Sequence, residues 1–233
     1  MSCPRCDTAG TIVEIVGAQG AGKTTLRNEL DKDLKTNWFF RHDLRHIGPA
    51  EDPSGTIERL HRDIYFRRLR HLDETQPDPW KSLTVARQAS NVIGQSLTMM
   101  TNKFPRGFFL DEGIFNNFPL ELANETGKDL TPLWANRAMI YLRTPDPDLI
   151  VSRYQGRVET RSRKHRLHRQ RTDSEVREAV RRKTELFDRV LEKARSLNRP
   201  VIVINPADNH GQNIEKILEF EKGLRTEPLD KTS

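Results

Sequence analysis

Apolar residues in this chain gather in short unbroken runs, separated by longer stretches with a helical period. The runs are Ile12-Val13-Glu14-Ile15-Val16, Gly107-Phe108-Phe109-Leu110, Ala138-Met139-Ile140-Tyr141-Leu142 and Val201-Ile202-Val203-Ile204. Such runs, rich in β-branched and aromatic residues, predict strands covered on both faces. The first strand is expected over 11–16, and a further strand within 37–47, where Trp38-Phe39-Phe40 is apolar. Between them the spacing predicts helices. Thr25-Leu26-Arg27-Asn28-Glu29-Leu30 opens one over 23–33, and Ile57, Leu60, Ile64, Leu69 and Leu72 mark a second. Val85, Ala89, Val92, Ile93, Leu97 and Met100 share one face of a third. Residues 114–136 read as irregular or helical.

Punctuation agrees with this division. Gln76-Pro77-Asp78-Pro79 and Phe104-Pro105-Arg106 break helices, and 48–55 is a loop by its turn residues. Asp146-Pro147 is a cap and first-turn pair for a helix reaching Tyr154. Thr172-x-x-Glu175 is a capping box for a long helix over 173–198, and Ile214 to Leu218 belong to a closing helix. Strands alternating with helices predict a parallel sheet with helices on both faces. One domain over 11–223 is expected, with flexible termini at 1–10 and 224–233. Ligands of such sheets sit at the carboxyl ends of the strands. That end gathers the Val16–Gly17 loop, Asp111-Glu112 and the Arg143–Thr144 junction on one rim.

Composition narrows the class. The chain has 233 residues, 35% hydrophobic and 31% charged, enough for one domain with a sizeable core. No apolar run approaches a membrane span, and Met1-Ser2-Cys3-Pro4-Arg5-Cys6 lacks the apolar centre of a signal peptide. A cytoplasmic protein without membrane contact is the expectation. Cys3 and Cys6 form a C-x-x-C, but no second cysteine pair completes a zinc site, so two ordinary thiols are expected. The net charge of +6 is largely local. Arg153, Arg157, Arg161, Arg163, Lys164, Arg166, Arg169 and Arg171 face one acid, Glu159, within 153–171.

The chemistry starts at Gly17-Ala18-Gln19-Gly20-Ala21-Gly22-Lys23-Thr24, which fits G-x-x-x-x-G-K-[ST] without mismatch between a strand and a helix. Glycines and alanines let the backbone curl so that successive N–H groups point at phosphate oxygens. The helix dipole favours the same anion. Lys23 reaches the β- and γ-phosphates, Thr24 offers a hydroxyl to Mg²⁺, and Thr25 completes the nucleotide-binding set. Asp111, directly after an apolar strand, is the first candidate for base or metal contact, and Glu112 the second. Arg153 and Arg157 read as arginines of a lid, about 153–172, that closes over the triphosphate. For 161–171 a lid, a solvated charge run and a nucleic-acid arm remain open.

The order strand–GAQGAGKTT–helix, then FFLDEG, AMIYLRTPDPDLIVSRYQGRVE and VIVINPA resembles the P-loop nucleoside and nucleotide kinases. It is most similar to the deoxynucleoside kinase and thymidylate kinase group. Gly156-Arg157-Val158-Glu159, with Arg153 ahead, is similar to that family's arginine-rich lid sequence. The resemblance implies a three-layer P-loop NTPase fold with about five parallel strands, helices on both faces and a lid, and Mg·ATP as donor. It also implies that the family's acid falls on Asp111. Glu112-Gly113 departs from the Arg-Ser or Arg-Tyr usual after that acid.

The expected activity is transfer of the γ-phosphoryl group of ATP to a small-molecule hydroxyl or phosphate, with a nucleoside or nucleotide as the expected acceptor. Arg45 is the candidate acceptor contact, and a homodimer is left open. A polynucleotide-end kinase and a non-enzymatic NTP-dependent assembly factor are the alternatives. A GTPase is disfavoured because Asn102-Lys103-Phe104-Pro105 lacks the aspartate of N-K-x-D, and an ABC-type ATPase because no L-S-G-G-Q-like run occurs.

Overall fold

The computed structural model describes residues 10–40, 44, 47–124, 129–160 and 172–226, the side chains of 154, 156–160 and 226 excepted. In chain order the elements are β1 (Ile12–Gly17), α1 (Lys23–Leu34), β2 (Trp38–Phe40), α2 (Thr56–Thr75) and α3 (Pro79–Thr101). Then come β3 (Gly107–Leu110), α4 (Ile114–Asn117), α5 (Pro119–Ala123), α6 (Thr131–Trp134) and β4 (Arg137–Leu142). α7 (Pro147–Thr160), α8 (Asp173–Ser196), β5 (Val201–Ile204) and α9 (His210–Thr226) complete the chain. The strands form one parallel sheet in the order β2-β3-β1-β4-β5. The three inner strands, β1, β3 and β4, are buried at every residue, as their unbroken apolar runs require. The edge strand β5 leaves Val203 exposed.

Side chains alternate across the sheet. Val13, Ile15, Phe109, Ala138 and Ile140 pack on one face with Leu26, Leu30 and Leu34 of α1, Ile150 of α7, and Ile217 of α9. Val16, Met139 and Tyr141 pack on the other with α2, α3, the short helices α4 to α6 and the second half of α8. The result is the three-layer α/β fold with five parallel strands expected from the sequence.

Boundaries moved where long-range contacts overrule local pattern. β4 starts on Arg137, a buried arginine outside the apolar run. α7 continues past Tyr154 to Thr160. α9 runs through Gly223, expected to mark the start of a tail, because Leu224 is buried and Arg225 pairs with Glu221 one turn earlier. Glu221 in turn accepts from Trp38 Nε1 at 2.7 Å, tying α9 to β2. The capping box formed as expected, Thr172 Oγ1 accepting from Glu175 N and Glu175 accepting from Thr172 N. Asp146 accepts from Asp148 N at 2.9 Å at the start of α7. Cys3 and Cys6 lie outside the described residues. Among the described residues no helix is long and apolar enough to cross a membrane.

Candidate functional site

The loop between β1 and α1 is curled at its glycines. Gly20 and Gly22 have φ of 94° and 103°, in the left-handed region where a side chain is strained. Ala21 N donates to Ala18 O at 3.1 Å, closing the turn. Lys23 Nζ lies across the loop and donates to the carbonyls of Gly17 (2.7 Å) and Ala18 (3.0 Å). The ammonium therefore stands on the concave backbone that the motif predicts, at the N-terminus of α1.

Next to it, Thr24 and Asp111 meet. Thr24 Oγ1 donates to Asp111 Oδ2 at 3.2 Å, and Arg27 Nε lies 3.8 Å from the same oxygen. Thr24 and Arg27 are three apart on α1 and share a face, so one turn of helix serves one carboxylate. The Asp111 side chain is only 10% exposed, in the shelter of the loop. A hydroxyl and a carboxylate oxygen converging beside a phosphate-binding loop suit Mg²⁺, which takes few protein ligands and fills its octahedron with water and phosphate oxygens. Among the described residues no group of three or more His, Cys, Asp or Glu offers an all-protein metal cage. The residues present fit the sparse kind of site. Arg27 escaped the sequence reading, although its spacing from Thr24 was a usable signal.

Behind Asp111 lies a buried polar hub that the sequence reading did not find. Glu14, in the middle of β1, is fully buried and pairs with the equally buried Arg137 of β4. The Glu14 carboxylate also accepts from Phe115 N at 2.8 Å and from the Ile114 amide. Arg137 donates from Nε to Leu133 O (2.7 Å) and from Nη2 to Ser96 Oγ (2.5 Å). Ser96 Oγ meets His61 Nε2 at 2.7 Å, and His61 Nδ1 meets Ile57 O at 2.8 Å. A carbonyl only accepts, so Nδ1 carries the proton and Ser96 donates to Nε2. Burial holds the His61 imidazole down at about 4, with the Arg137 charge adding to the effect. Burial pushes the Glu14 carboxyl up and pulls the Arg137 guanidinium down; each is opposed by the other's charge.

On the outer side of the loop a cleft of about 270 Å³ is lined by Gly20, Ala21, Gly22, Thr25, Arg153 and Pro206, among others. Arg153, on α7, donates from Nη1 to Ala21 O (3.0 Å) and more weakly to Gly20 O (3.4 Å). Its Nη2 donates to Pro206 O at 3.1 Å. One guanidinium thus bridges the loop after β1 and the loop after β5. Asn213 of α9 also borders the cleft, its Nδ2 donating to Asn205 O at 3.0 Å. Its buried Oδ1 has no hydrogen-bond partner among the described residues.

Of the sequence candidates, the structure brings together Gly17 to Thr25, Asp111 and Arg153. Glu112 follows Asp111 in the same turn and is half-buried. The Arg157 side chain, Arg45 and residues 161–171 lie outside the described residues.

No family model matches the chain, and no curated protein matches it. Solved structures similar to it include kinases. One is deoxyadenosine kinase from M. mycoides with bound dCTP, 14% identical over 91% of this chain and 100% of that one, with a TM-score of 0.46. The same enzyme with the products dCMP and a flexible dCDP is 17% identical over 92% and 100%, TM-score 0.48. Shikimate kinase from Acinetobacter baumannii in complex with shikimate is 15% identical over 93% and 96%, TM-score 0.46. These likenesses span most of the chain, and the fold itself stands on the strand order and the curled loop described above.

Proposed function

We propose that this chain is a P-loop phosphotransferase that moves the γ-phosphoryl group of ATP to a small-molecule hydroxyl or phosphate, a nucleoside or nucleotide by preference. The observation that carries this reading is the convergence of Thr24 Oγ1 and Asp111 Oδ2 at 3.2 Å beside the curled loop that bears Lys23. Loop amides and Lys23 bind the β- and γ-phosphates, Lys23 exchanging its carbonyl partners for phosphate oxygens. Thr24 and Asp111 would hold Mg²⁺, which when bound neutralises charge on the transferring group. The base occupies the cleft beside Arg153 and Pro206.

The acceptor oxygen attacks the γ-phosphorus, the bond to the β-bridging oxygen breaks, and a hydroxyl acceptor gives its proton to a carboxylate at the end of β3. Asp111 serves there if it binds the metal only through water; otherwise Glu112 takes the proton. Arg153 and Arg157 belong to the α7 side of the site, and Arg45 remains the proposed acceptor contact. Positioning and charge stabilisation supply most of the rate in such chemistry.

Calorimetry with Mg·ATP tests the binding half, and single-turnover transfer from labelled ATP into a pooled metabolite extract tests the rest. Wild type should bind and label a small molecule. Lys23→Ala should weaken binding roughly 10- to 100-fold, the range expected for a charge-assisted hydrogen bond. Full transfer by Lys23→Ala would sink the reading.

A further inference from the structure

The Asp111-Glu112-Gly113 turn meets the phosphate loop through Thr24, which donates to Asp111. Its rear is fixed from β1, by the carboxylate of Glu14. That carboxylate accepts from the amides of Ile114 and Phe115, the first two residues of α4, immediately after the turn. Gly113 has no room for a side chain: a Cβ there would overlap the Glu14 carboxyl group. Gly113 has φ of −127°, which any residue adopts, so contact with Glu14 and not backbone conformation excludes a side chain. Glu14 lies three residues before Gly17, on the strand that leads into the phosphate loop. β1 pairs with β3 in the register Glu14↔Leu110, so the carboxylate is also level with the residue before Asp111.

Arg137 keeps that carboxylate in place. It is itself anchored by Leu133 O and by Ser96 Oγ, whose hydroxyl is engaged by His61. Each polar atom in this chain of contacts that faces Glu14 or Arg137 has a partner, within surroundings where an ordinary apolar core would suffice for stability. A buried ion pair is seldom worth more to stability than well-packed apolar residues of the same volume. Its placement, with one carboxylate touching both the strand that carries the phosphate loop and the turn that carries the acid, calls for a reason beyond stability.

We propose that Glu14, held by Arg137, is a positioning residue that sets the distance between Asp111 and Thr24 and thereby the affinity of the site for Mg²⁺ on bound ATP. The inference rests on the nucleotide reading above for its ligand, but not for its structural step. Glu14 touches neither metal nor nucleotide; it acts through the backbone of residues 113–115. Partners one layer behind metal ligands are typically worth 10- to 100-fold in metal affinity or activity.

Two double variants separate positioning from stability. Glu14→Met/Arg137→Met removes both charges and the acceptor oxygen while keeping the volume. Glu14→Gln/Arg137→Met removes both charges but keeps an acceptor oxygen for the Ile114 and Phe115 amides. Two quantities are measured on each and on wild type. One is hydrogen exchange at the amides of 111–117 relative to the rest of the chain. The other is the ratio of ATP affinity with Mg²⁺ to that in EDTA. The Met/Met variant should show faster exchange at 114 and 115 and a ratio about tenfold lower, with ATP affinity in EDTA within twofold of wild type. The Gln/Met variant should recover most of both. If exchange rises evenly along the chain, or the two variants behave alike, the hub serves stability alone and the proposal is overturned. If wild type itself gains no ATP affinity from Mg²⁺, the nucleotide reading fails, and the exchange data still decide whether Glu14 positions the turn. Should Met/Met fail to fold, Gly113→Ala forces the turn and the Glu14 carboxylate apart while leaving both charges in the chain. The same drop in the ratio is expected, and its absence is equally fatal.

Discussion

His61 is a side chain whose chemistry departs far from solution behaviour, within a pH range that can be measured. It is 1% exposed, donates to Ile57 O and accepts from Ser96, so the fold has no place for a second proton on the ring. Burial is the main cause of its low value, about 4, and the Arg137 guanidinium works in the same direction, against the opposing charge of Asp52. In the unfolded chain the ring takes up its proton near 6.5. Below that pH the unfolded state binds more protons than the folded one, so stability falls as pH drops from about 6.5 to about 4, and the loss then levels off. The integrated cost is roughly 3 kcal/mol, at about 1.4 kcal/mol for each unit of separation. Urea midpoints measured at pH 7, 5.5 and 4.5 should converge between wild type and His61→Gln as the pH falls. Parallel curves would mean that the ring titrates in the fold as it does in water.

At the scale of elements, local signals proved legible and distant ones did not. The capping box at the start of α8 is a four-residue message, and Thr172→Ala should cost about 1 kcal/mol by removing the acceptor for Glu175 N. Thermal unfolding of that variant, set beside Glu175→Gln as a milder change, checks it; an unchanged midpoint would mean that α8 is held by packing alone. The phosphate loop was readable for the same reason: its residues are contiguous, and their types dictate the curl. Strands β3 and β5 also announced themselves, because an unbroken apolar run leaves little choice. Glu14 could not be read this way. The apolar run around it marks a buried strand but says nothing of what an acid there pairs with, and its partner Arg137 is 123 residues away. Arg137 in turn sat outside the run expected to form β4, since only the pairing makes a buried guanidinium affordable. Gly223 misled for a related reason. Its helix continues because Leu224 is buried and Arg225 pairs with Glu221, and neither contact leaves a mark in the local pattern.

The molecule as a whole works by bringing the carboxyl ends of parallel strands to one side. The connections after β1, β4 and β5 are far apart in sequence, yet Arg153 touches the first and the third from its place in the second. Its guanidinium satisfies carbonyls of Ala21 and Pro206, with Gly20 at longer range, and forms a wall of the 270 Å³ cleft. An arginine committed to carbonyls on the outer side of the loop has a different task from one that swings in over the γ-phosphate. On the proposed nucleotide reading, the first would shape the pocket for the base and the second would grip the phosphates. The two tasks separate cleanly by ligand. If the cleft holds the base as proposed, Arg153→Met should weaken ATP about tenfold, equivalent to about 1.4 kcal/mol, because two loops lose their bridge and the cleft loses a wall. Inorganic tripolyphosphate, which has no base, should bind the variant within twofold of wild type. Equal weakening of both ligands would instead move Arg153 onto the phosphates, and calorimetric titration of the two ligands into the two proteins decides between these tasks.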